Sequence, residues 1–223
     1  YNQWLPKKYA GTYGTNGFYL PFTNNASAAT LGNDFSGNSN TWTTNNISVT
    51  TGSSYDSTTD VPTLTSATAA NFAVMNPNIA GIGSSLSDGN LKISSVGAKT
   101  VLGTMGMSSG KWYWEVQVIS GGNYDIGIAT AKANVAATLG SDAFGWSILD
   151  NGNKYNNGTT TAYFAGLSAN DFVGVAFDAD AGTLVFYKNN TSLGTAFSSL
   201  TSGPYFPAAT DTVSVMIANF GQR

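Results

Sequence analysis

The segment Gly110 to Val118 reads GKWYWEVQV and decides the fold. Apolar side chains recur at every second position along it, which is the period of a β-strand. The alternation places Trp112, Trp114 and Val116 on one face of that strand. Two indoles on one face are buried only if a second layer covers them. We therefore predict a central strand in a two-layer protein, with both tryptophans inside.

Beyond Ala70 the chain continues in short apolar runs that turn residues separate at intervals of about ten residues. Turns are predicted at Asp150-Asn151-Gly152-Asn153, at Asn157-Gly158, at Asp180-Ala181-Gly182 and at Asn189-Asn190. The best helical candidate is residues 131–139, with an irregular loop as the alternative. The runs predict strands over Asn71–Met75, Leu91–Ser94, Val101–Met107, Tyr124–Thr130, Phe144–Leu149, Thr160–Phe164, Phe172–Asp178, Thr183–Lys188, Leu193–Phe197, Tyr205–Ala208 and Thr212–Phe220.

Many short antiparallel strands without crossover helices predict an all-β fold, a two-sheet antiparallel β-sandwich or jelly roll. Side chains that alternate toward the other sheet form its core. The predicted inner faces comprise Trp112, Trp114, Val116, Val173, Val175, Phe177, Leu184, Phe186, Val213, Val215 and Ile217.

Residues 1–70 are predicted to form a long, extended N-terminal arm with short strands, and residues 71–223 the sandwich. The arm is polar, with a turn at Asp34 to Asn38 and a short strand at Ile47 to Thr50. It has no core of its own, so it is expected to pack on the sandwich or on a neighbouring subunit. Because Tyr1 is not an initiator methionine, we expect further sequence before it.

The composition restricts the kinds of molecule that the chain is expected to bind. Only 9% of the 223 residues are charged, the net charge is −3, and the sole arginine is Arg223. Scattered lysines do not form the basic patch that nucleic acid requires, so no nucleic-acid partner is predicted. No apolar run approaches the roughly 18 residues of a membrane span, so no membrane insertion is expected.

Five blocks of sequence occur in the usual order of the SPRY domain. They are GKWYWEVQV, DIGIAT (125–130), FGWSI (144–148), DFVGVAFDADAGTLVFYKNNTSLGTAF (171–197) and GPYFPAA (203–209). From about Leu91 to Phe220 the chain therefore resembles a SPRY domain. The resemblance implies a curved, concanavalin-like sandwich that recognises ligands through loops at one edge and usually lacks catalysis.

The N-terminal blocks KYAGTYGTNGFYLPF (8–22), LGNDFSGNSNTWTTNNISVT (31–50) and DVPT (60–63) resemble a segment that precedes SPRY domains in bacteriophage tail and structural proteins. This resemblance implies a virion protein on the extracellular face of the particle. A fibre would be a homo-oligomer, with a trimer favoured, in which symmetric assembly buries the arm.

Chemistry is restricted because the chain has neither histidine nor cysteine. Ser-His triads, thiol nucleophiles and the usual zinc sites are excluded. A carboxylate pair remains, but the only glutamate, Glu115, lies on the central strand. Calcium could use the oxygens of residues 34–38 or 178–182, although turn formation explains both. We predict no catalytic residue, no metal and no cofactor.

A ligand site is predicted from aromatic and amide groups, which stack on and hydrogen-bond to glycans or proteins. Trp146, Asn153, Tyr155 and Tyr163 would converge beside the loop from residue 149 to 161. In the alternative, Trp146 belongs to the core and the tyrosines pack on hairpin flanks.

Three functions are considered from the sequence. The first is a non-enzymatic phage virion component, such as a tail fibre, that recognises a host-surface glycan or protein or a neighbouring virion protein. The second is a purely architectural capsid, tail or filament decoration protein without a host ligand. The third is a glycan depolymerase, which the residue content disfavours.

Overall fold

The computed structural model of the chain describes residues 9–50, 56–57, 71–80, 84–95 and 97–222. The chain divides into two compact units, Tyr1–Asn71 with Gln222 and Phe72–Gly221 with Arg223. Whether residues 1–70 form a separate arm stays a prediction. Within the described ranges, no helix has the length and apolar character needed to cross a membrane.

The larger unit consists of two seven-stranded antiparallel sheets, which confirms the predicted all-β sandwich. The strands are β1 Met75–Ala80, β2 Ser84–Ser87, β3 Lys92–Ser95, β4 Lys99–Gly103, β5 Lys111–Ser120, β6 Tyr124–Thr130, β7 Gly145–Leu149, β8 Asn153–Asn156, β9 Thr159–Ala162, β10 Phe172–Asp178, β11 Thr183–Lys188, β12 Thr191–Phe197, β13 Tyr205–Asp211 and β14 Val215–Asn219. Sheet I has the order β1-β4-β13-β6-β7-β8-β9, and sheet II has the order β12-β11-β10-β5-β14-β3-β2.

The apolar core lies between the sheets and is centred on β5, as predicted. Trp114, Val116 and Val118 are buried, and the first two pair with Val175 and Val173 of β10. Cross-strand pairs of this kind place β-branched and aromatic side chains in contact on one face. The core further contains Phe177, Leu184 and Phe186 from sheet II, and Tyr124, Ile126, Ile128 and Ile148 from sheet I.

The predicted burial of Trp112 is wrong. This side chain is 39% exposed near the start of β5, whereas Trp114 is 3% exposed. The indole N–H of Trp112 donates to the carbonyl oxygen of Ser109 at 2.8 Å, which holds the ring over the turn that precedes β5. The indole N–H thus finds its hydrogen-bond partner outside the core.

The predicted inner face of the last strand is also wrong. Val213 is 65% exposed, and the core side chains are instead Met216 and Ala218. The strand begins only at Val215, because Ser214 donates two hydrogen bonds to the carboxylate of Asp211 and closes a turn. A shift of one residue moves every side chain of a strand to the other face, so Val215 does not point into the core between the sheets. Ile217 is 5% exposed and therefore buried as predicted, but it lies outside the main core cluster.

Other differences concern polar or irregular segments. The first strand is Met75–Ala80, not 71–75, and it tolerates Pro77 because it lies at the edge of sheet I. The predictions missed β2 and β8, whose sequences SSLS and NKYN hold no apolar run. The third predicted strand, 101–107, is shorter and begins earlier, as β4. Residues 131–139 form turns, so the loop alternative to the helix is right.

The described part of the smaller unit contains one helical turn, α1 (Ala28–Leu31), and no strand, so the strand expected at residues 47–50 is not formed. Asp34 organises this unit, because its carboxylate accepts hydrogen bonds from the backbone N–H groups of Tyr19, Ser36 and Asn40. Burial opposes ionisation, but the Ser36 hydroxyl and these N–H groups outweigh it and lower the pKa of Asp34 to about 2. Hydrogen bonds to one carboxylate therefore connect three parts of this segment.

Candidate ligand-binding site

A β-hairpin formed by β8 and β9 ends sheet I. Its turn is Asn157-Gly158, as predicted, and φ values of 49° and 72° at these residues match a type I′ turn. The flanking strand was predicted at 160–164, but it runs from Thr159 to Ala162. It pairs with β8, in a segment that the sequence analysis assigned partly to turns.

The hairpin is held at its tip and at its base. At the tip, the N–H groups of Asn157 and Gly158 donate to the carbonyl oxygens of Asp142 and Gly140, each at 3.0 Å. At the base, the carbonyl oxygen of Gly152 accepts the N–H groups of the two residues that follow β9. A strand pair anchored at both ends is ordered before any ligand binds.

The four predicted site residues do not converge on one surface. Trp146 pairs with Asn156, whereas Tyr155 pairs with Ser147, so Trp146 and Tyr155 point to opposite faces of sheet I. Asn153 shares the face of Tyr155, because it lies two residues before it on the same strand.

Trp146 and Tyr163 lie toward the core. The Trp146 ring contacts Tyr205, with 5.5 Å between the ring centroids. The Tyr163 hydroxyl donates to the carbonyl oxygen of Gly194 at 2.5 Å, and its ring packs on Phe186. These contacts are structural. The ligand-binding role of Trp146, Asn153, Tyr155 and Tyr163 stays a prediction.

An open cleft lies between the hairpin and the edge of sheet II. Its volume is about 300 Å³, at the low end of the range for ligand pockets. We call it the hairpin cleft, and it is lined by Lys154, Asn156, Asn157, Thr159, Thr161 and Phe197. Lys154 and Asn156 oppose Thr161 and Thr159 across the hairpin, so these four side chains share one face.

The cleft carries one positive charge. The ammonium group of Lys154 donates to the carbonyl oxygen of Ala196 at 2.6 Å and lies 5.3 Å from the centroid of the Phe197 ring. No carboxylate belongs to the six lining residues, and the ion pairs found among described residues involve other lysines, Lys111 and Lys188. Lys154 therefore retains N–H donors without an anionic partner.

The opposite face of sheet I is covered by the loop of residues 131–144. Two buried threonines hold this loop. Thr100 donates to the carbonyl oxygen of Ala137 at 2.7 Å, and Thr210 accepts the N–H of Leu139 at 2.8 Å. The two hydroxyl oxygens are 3.0 Å apart. The loop is therefore attached to the sheet through a buried polar row.

Asp125 lies in the same row, paired with Thr210, and the sequence analysis assigned it no role. Burial raises the pKa of Asp125 to about 8, and the nearby Asp150 carboxylate adds to the effect, while a hydrogen bond with Thr210 opposes it. A protonated Asp125 places no charge in the interior. The residues of DIGIAT gave no sequence signal for this shift, because its main cause, burial, and the approach of Asp150 arise only in the folded chain.

The other carboxylates considered for catalysis or calcium binding have structural partners. Glu115 accepts a hydrogen bond of 2.9 Å from the Tyr113 hydroxyl on the outer face of sheet II. Burial and this bond raise the pKa of Tyr113 to about 12. Asp178 accepts the N–H groups of Asp180 and Ala181, as the turn interpretation predicts.

A model of the SPRY domain matches residues 111–223. The chain belongs to the SPRY family. SPRY domains are generally protein–protein interaction modules.

Relatives of this SPRY chain are longer proteins. SPRY domain-containing SOCS box protein 3 of Xenopus tropicalis is 27% identical over 58% of this chain and 40% of its own length. The probable ATP-dependent RNA helicase ddx1 of Dictyostelium discoideum is 31% identical over 54% of this chain and 16% of its own length. The chain thus spans less than half of these relatives.

Solved structures share the fold of this SPRY domain. The SPRY domain of human HERC1 is 18% identical, with a TM-score of 0.59, and the match covers 67% of this chain and 99% of that one. The TRIM65 PSpry domain is 17% identical, with a TM-score of 0.59, and the match covers 66% and 89% of the two chains. Identities this low establish the sandwich and no shared ligand.

Proposed function

We propose that this chain is a non-enzymatic recognition protein whose SPRY domain binds a protein ligand at the hairpin cleft. The composition of the cleft carries this proposal. One ammonium group, two amides, two hydroxyls and one ring line it, on a hairpin that is fixed at both ends. Such groups hydrogen-bond to a peptide, but no lining residue among those described supplies an acid–base pair.

Membership of the SPRY family supports protein binding. The relatives do not extend this proposal to the function of a whole protein, because each match covers 40% or less of the relative. The third function, a glycan depolymerase, has no observation in its favour. A glycosidase requires two carboxyl groups beside a substrate cleft, and the hairpin cleft has none among its lining residues.

The location we propose is the exposed surface of a phage virion, as a tail fibre or another appendage. Its support is the resemblance of the segments within residues 8–63 to phage proteins, together with the low charge of the chain. The relatives from Xenopus and Dictyostelium lend no support to this location. The ligand would be a host-surface molecule or a virion neighbour, and the chain would form a homo-oligomer, with a trimer favoured. An architectural role without a host ligand is the rival.

Panning of the immobilised chain against a displayed library of short random peptides tests protein recognition. Thr161→Tyr fills the cleft, whereas the control Thr160→Tyr changes the neighbouring residue, whose side chain points to the other face. Enriched peptides should bind the Thr161→Tyr variant at least about tenfold more weakly than the control variant. Absence of enrichment, or equal binding to both variants, would refute the proposal.

Saturable binding of the labelled chain to intact bacterial cells, with soluble surface polysaccharide as competitor, tests the virion role. Competed binding would support a host-surface glycan as the ligand, and saturable binding that resists the competitor would support a surface protein. Failure of folded, natively assembled protein to bind would favour the architectural role.

A further inference from the structure

Edge strands expose unpaired backbone groups, and proteins usually block them with proline, charge or bulges. The edge strand β1 contains Pro77 and pairs irregularly with β4. The edge strand β12 also pairs irregularly with its neighbour, and Gly194 within it has a φ of 83°. In contrast, β9 reads Thr-Thr-Thr-Ala, pairs regularly with β8 and is exposed along its length. Its sequence contains none of these blocking features.

The free backbone groups of β9 can be assigned from the hairpin geometry. Asn156 and Thr159 flank a turn of type I′ and therefore exchange both of their backbone hydrogen bonds. Hydrogen-bonded and non-hydrogen-bonded pairs alternate along an antiparallel ladder. The N–H and C=O groups of Thr160 and Ala162 consequently point away from β8. Among the described residues, none bonds to them.

We propose that β9 binds an extended segment of a partner protein as an additional strand, with an acidic side chain of that segment in the hairpin cleft. This inference rests on the proposed function and names its binding mode. A strand added to β9 bonds to the backbone of Thr160 and Ala162. Its residues opposite Thr159 and Thr161 present their side chains on the face that those threonines share with the cleft.

The charge of the cleft selects the acidic side chain. Lys154 uses one N–H donor for the carbonyl oxygen of Ala196 and keeps the others. No lining residue offers a carboxylate. A carboxylate from the bound segment would accept these remaining donors in a charge-assisted hydrogen bond. Because the chain carries a net charge of −3, long-range attraction does not favour an acidic partner, and the selection is local.

The anchored hairpin lowers the entropic cost of this binding mode. Its tip is bonded to Gly140 and Asp142, and the amide of Asn156 donates to the carbonyl oxygen of Gly145 at 2.7 Å. The receptor strand is therefore already ordered before binding. The entropic cost of binding comes mainly from ordering the partner segment.

The enriched peptides from the panning experiment serve as probes. Thr160→Pro removes the outward N–H but no ladder bond to β8, a position that proline tolerates in edge strands. The matched control Thr160→Val keeps the N–H. We expect the dissociation constant of Thr160→Pro to exceed that of Thr160→Val at least about tenfold. Amide exchange of Thr160 and Ala162 in the wild-type chain should slow when peptide binds, which tests the mode even if Thr160→Pro fails to fold.

The acidic preference has its own test. Enriched peptides should contain Asp or Glu. Lys154→Gln should weaken their binding at least about fivefold. For peptides in which the acid is replaced by its amide, the same substitution should weaken binding less. Peptides that bind Thr160→Pro as tightly as wild type, without protection of the β9 amides, would overturn strand addition while the proposed function stands. Enrichment without acidic residues, or self-association through β9 in place of peptide binding, would overturn the chosen partner. Absence of any enrichment would overturn both proposals.

Discussion

The ammonium group of Lys154 donates a hydrogen bond of 2.6 Å to the carbonyl oxygen of Ala196, and this bond joins sheet I to the edge strand of sheet II. Lys154 lies on β8, and Ala196 lies on the outermost strand of the other sheet. The bond closes one wall of the hairpin cleft while the Phe197 ring lies beside the same ammonium group. Lys154 thus connects the two sheets of the sandwich and also lines the candidate site.

Replacement of Lys154 by methionine should lower the free energy of unfolding by about 1 kcal/mol, because a half-buried, charge-assisted hydrogen bond is lost while the apolar stem is kept. Urea denaturation, with an unchanged m-value, measures the change. The control is Lys111→Met, since Lys111 is 82% exposed and forms only a surface ion pair with Asp178. Equal losses in the two variants would show that the bond to Ala196 contributes nothing.

The raised pKa of Asp125 predicts a pH-dependent stability. Its pKa is about 8 in the folded chain and about 4 in the unfolded chain, so between these values the folded state holds the extra proton. Stability from this group is therefore complete below about pH 4 and is lost as the pH rises to about 8. Asp125→Asn keeps a donor for Thr210 and cannot ionise.

Thermal unfolding of wild type and Asp125→Asn across that pH range checks this prediction. The variant should gain stability relative to wild type as the pH rises, by an amount on the order of 1 kcal/mol per pH unit. A difference that stays constant with pH would mean that Asp125 titrates normally in the folded chain. Asp125→Leu, which lacks the donor, should be less stable than Asp125→Asn at every pH.

Gly152 permits the base of the hairpin to form. Its φ is 93°, and an added Cβ would clash with the carbonyl oxygen of Phe164. Gly158 also has a positive φ, of 72°, but a Cβ there meets only open space and one distant backbone oxygen. Gly152→Ala should therefore be more destabilising than Gly158→Ala by about 1 to 3 kcal/mol, because both share the backbone strain and only the first adds a clash.

Chemical denaturation compares the two glycine variants. Peptide binding offers a second measurement, since displacement of the hairpin base should impair the cleft in Gly152→Ala. Identical stabilities would show that the contact with Phe164 relaxes freely.

The assignment of the core face of β14 is tested by a pair of alanine variants. Met216 is fully buried, so Met216→Ala should cost about 2 to 5 kcal/mol of unfolding free energy. Val213 is exposed in the turn before the strand, so Val213→Ala should change it by less than about 0.5 kcal/mol. A larger loss of unfolding free energy in Val213→Ala than in Met216→Ala would show that the core face predicted from the sequence is right.

The sequence by itself determined the fold class and the position of the central strand. Side-chain period and backbone φ are local properties that can be inferred from the sequence alone. They explain the alternation in residues 110–118 and the turns at Asn157-Gly158 and Asn189-Asn190. The five sequence blocks likewise indicated the SPRY family before the sheets were known.

Only the tertiary structure decided which face of β14 points into the core between the sheets, that Trp112 is exposed, and that Trp146 and Tyr155 lie on opposite sides of a sheet. It also brought Lys154 to Ala196 and Asp150 to Asp125. Each outcome depends on the register between strands or on the approach of residues distant in the chain. Local alternation is the same for both faces of a strand, so pairing with a neighbour is needed to choose between them.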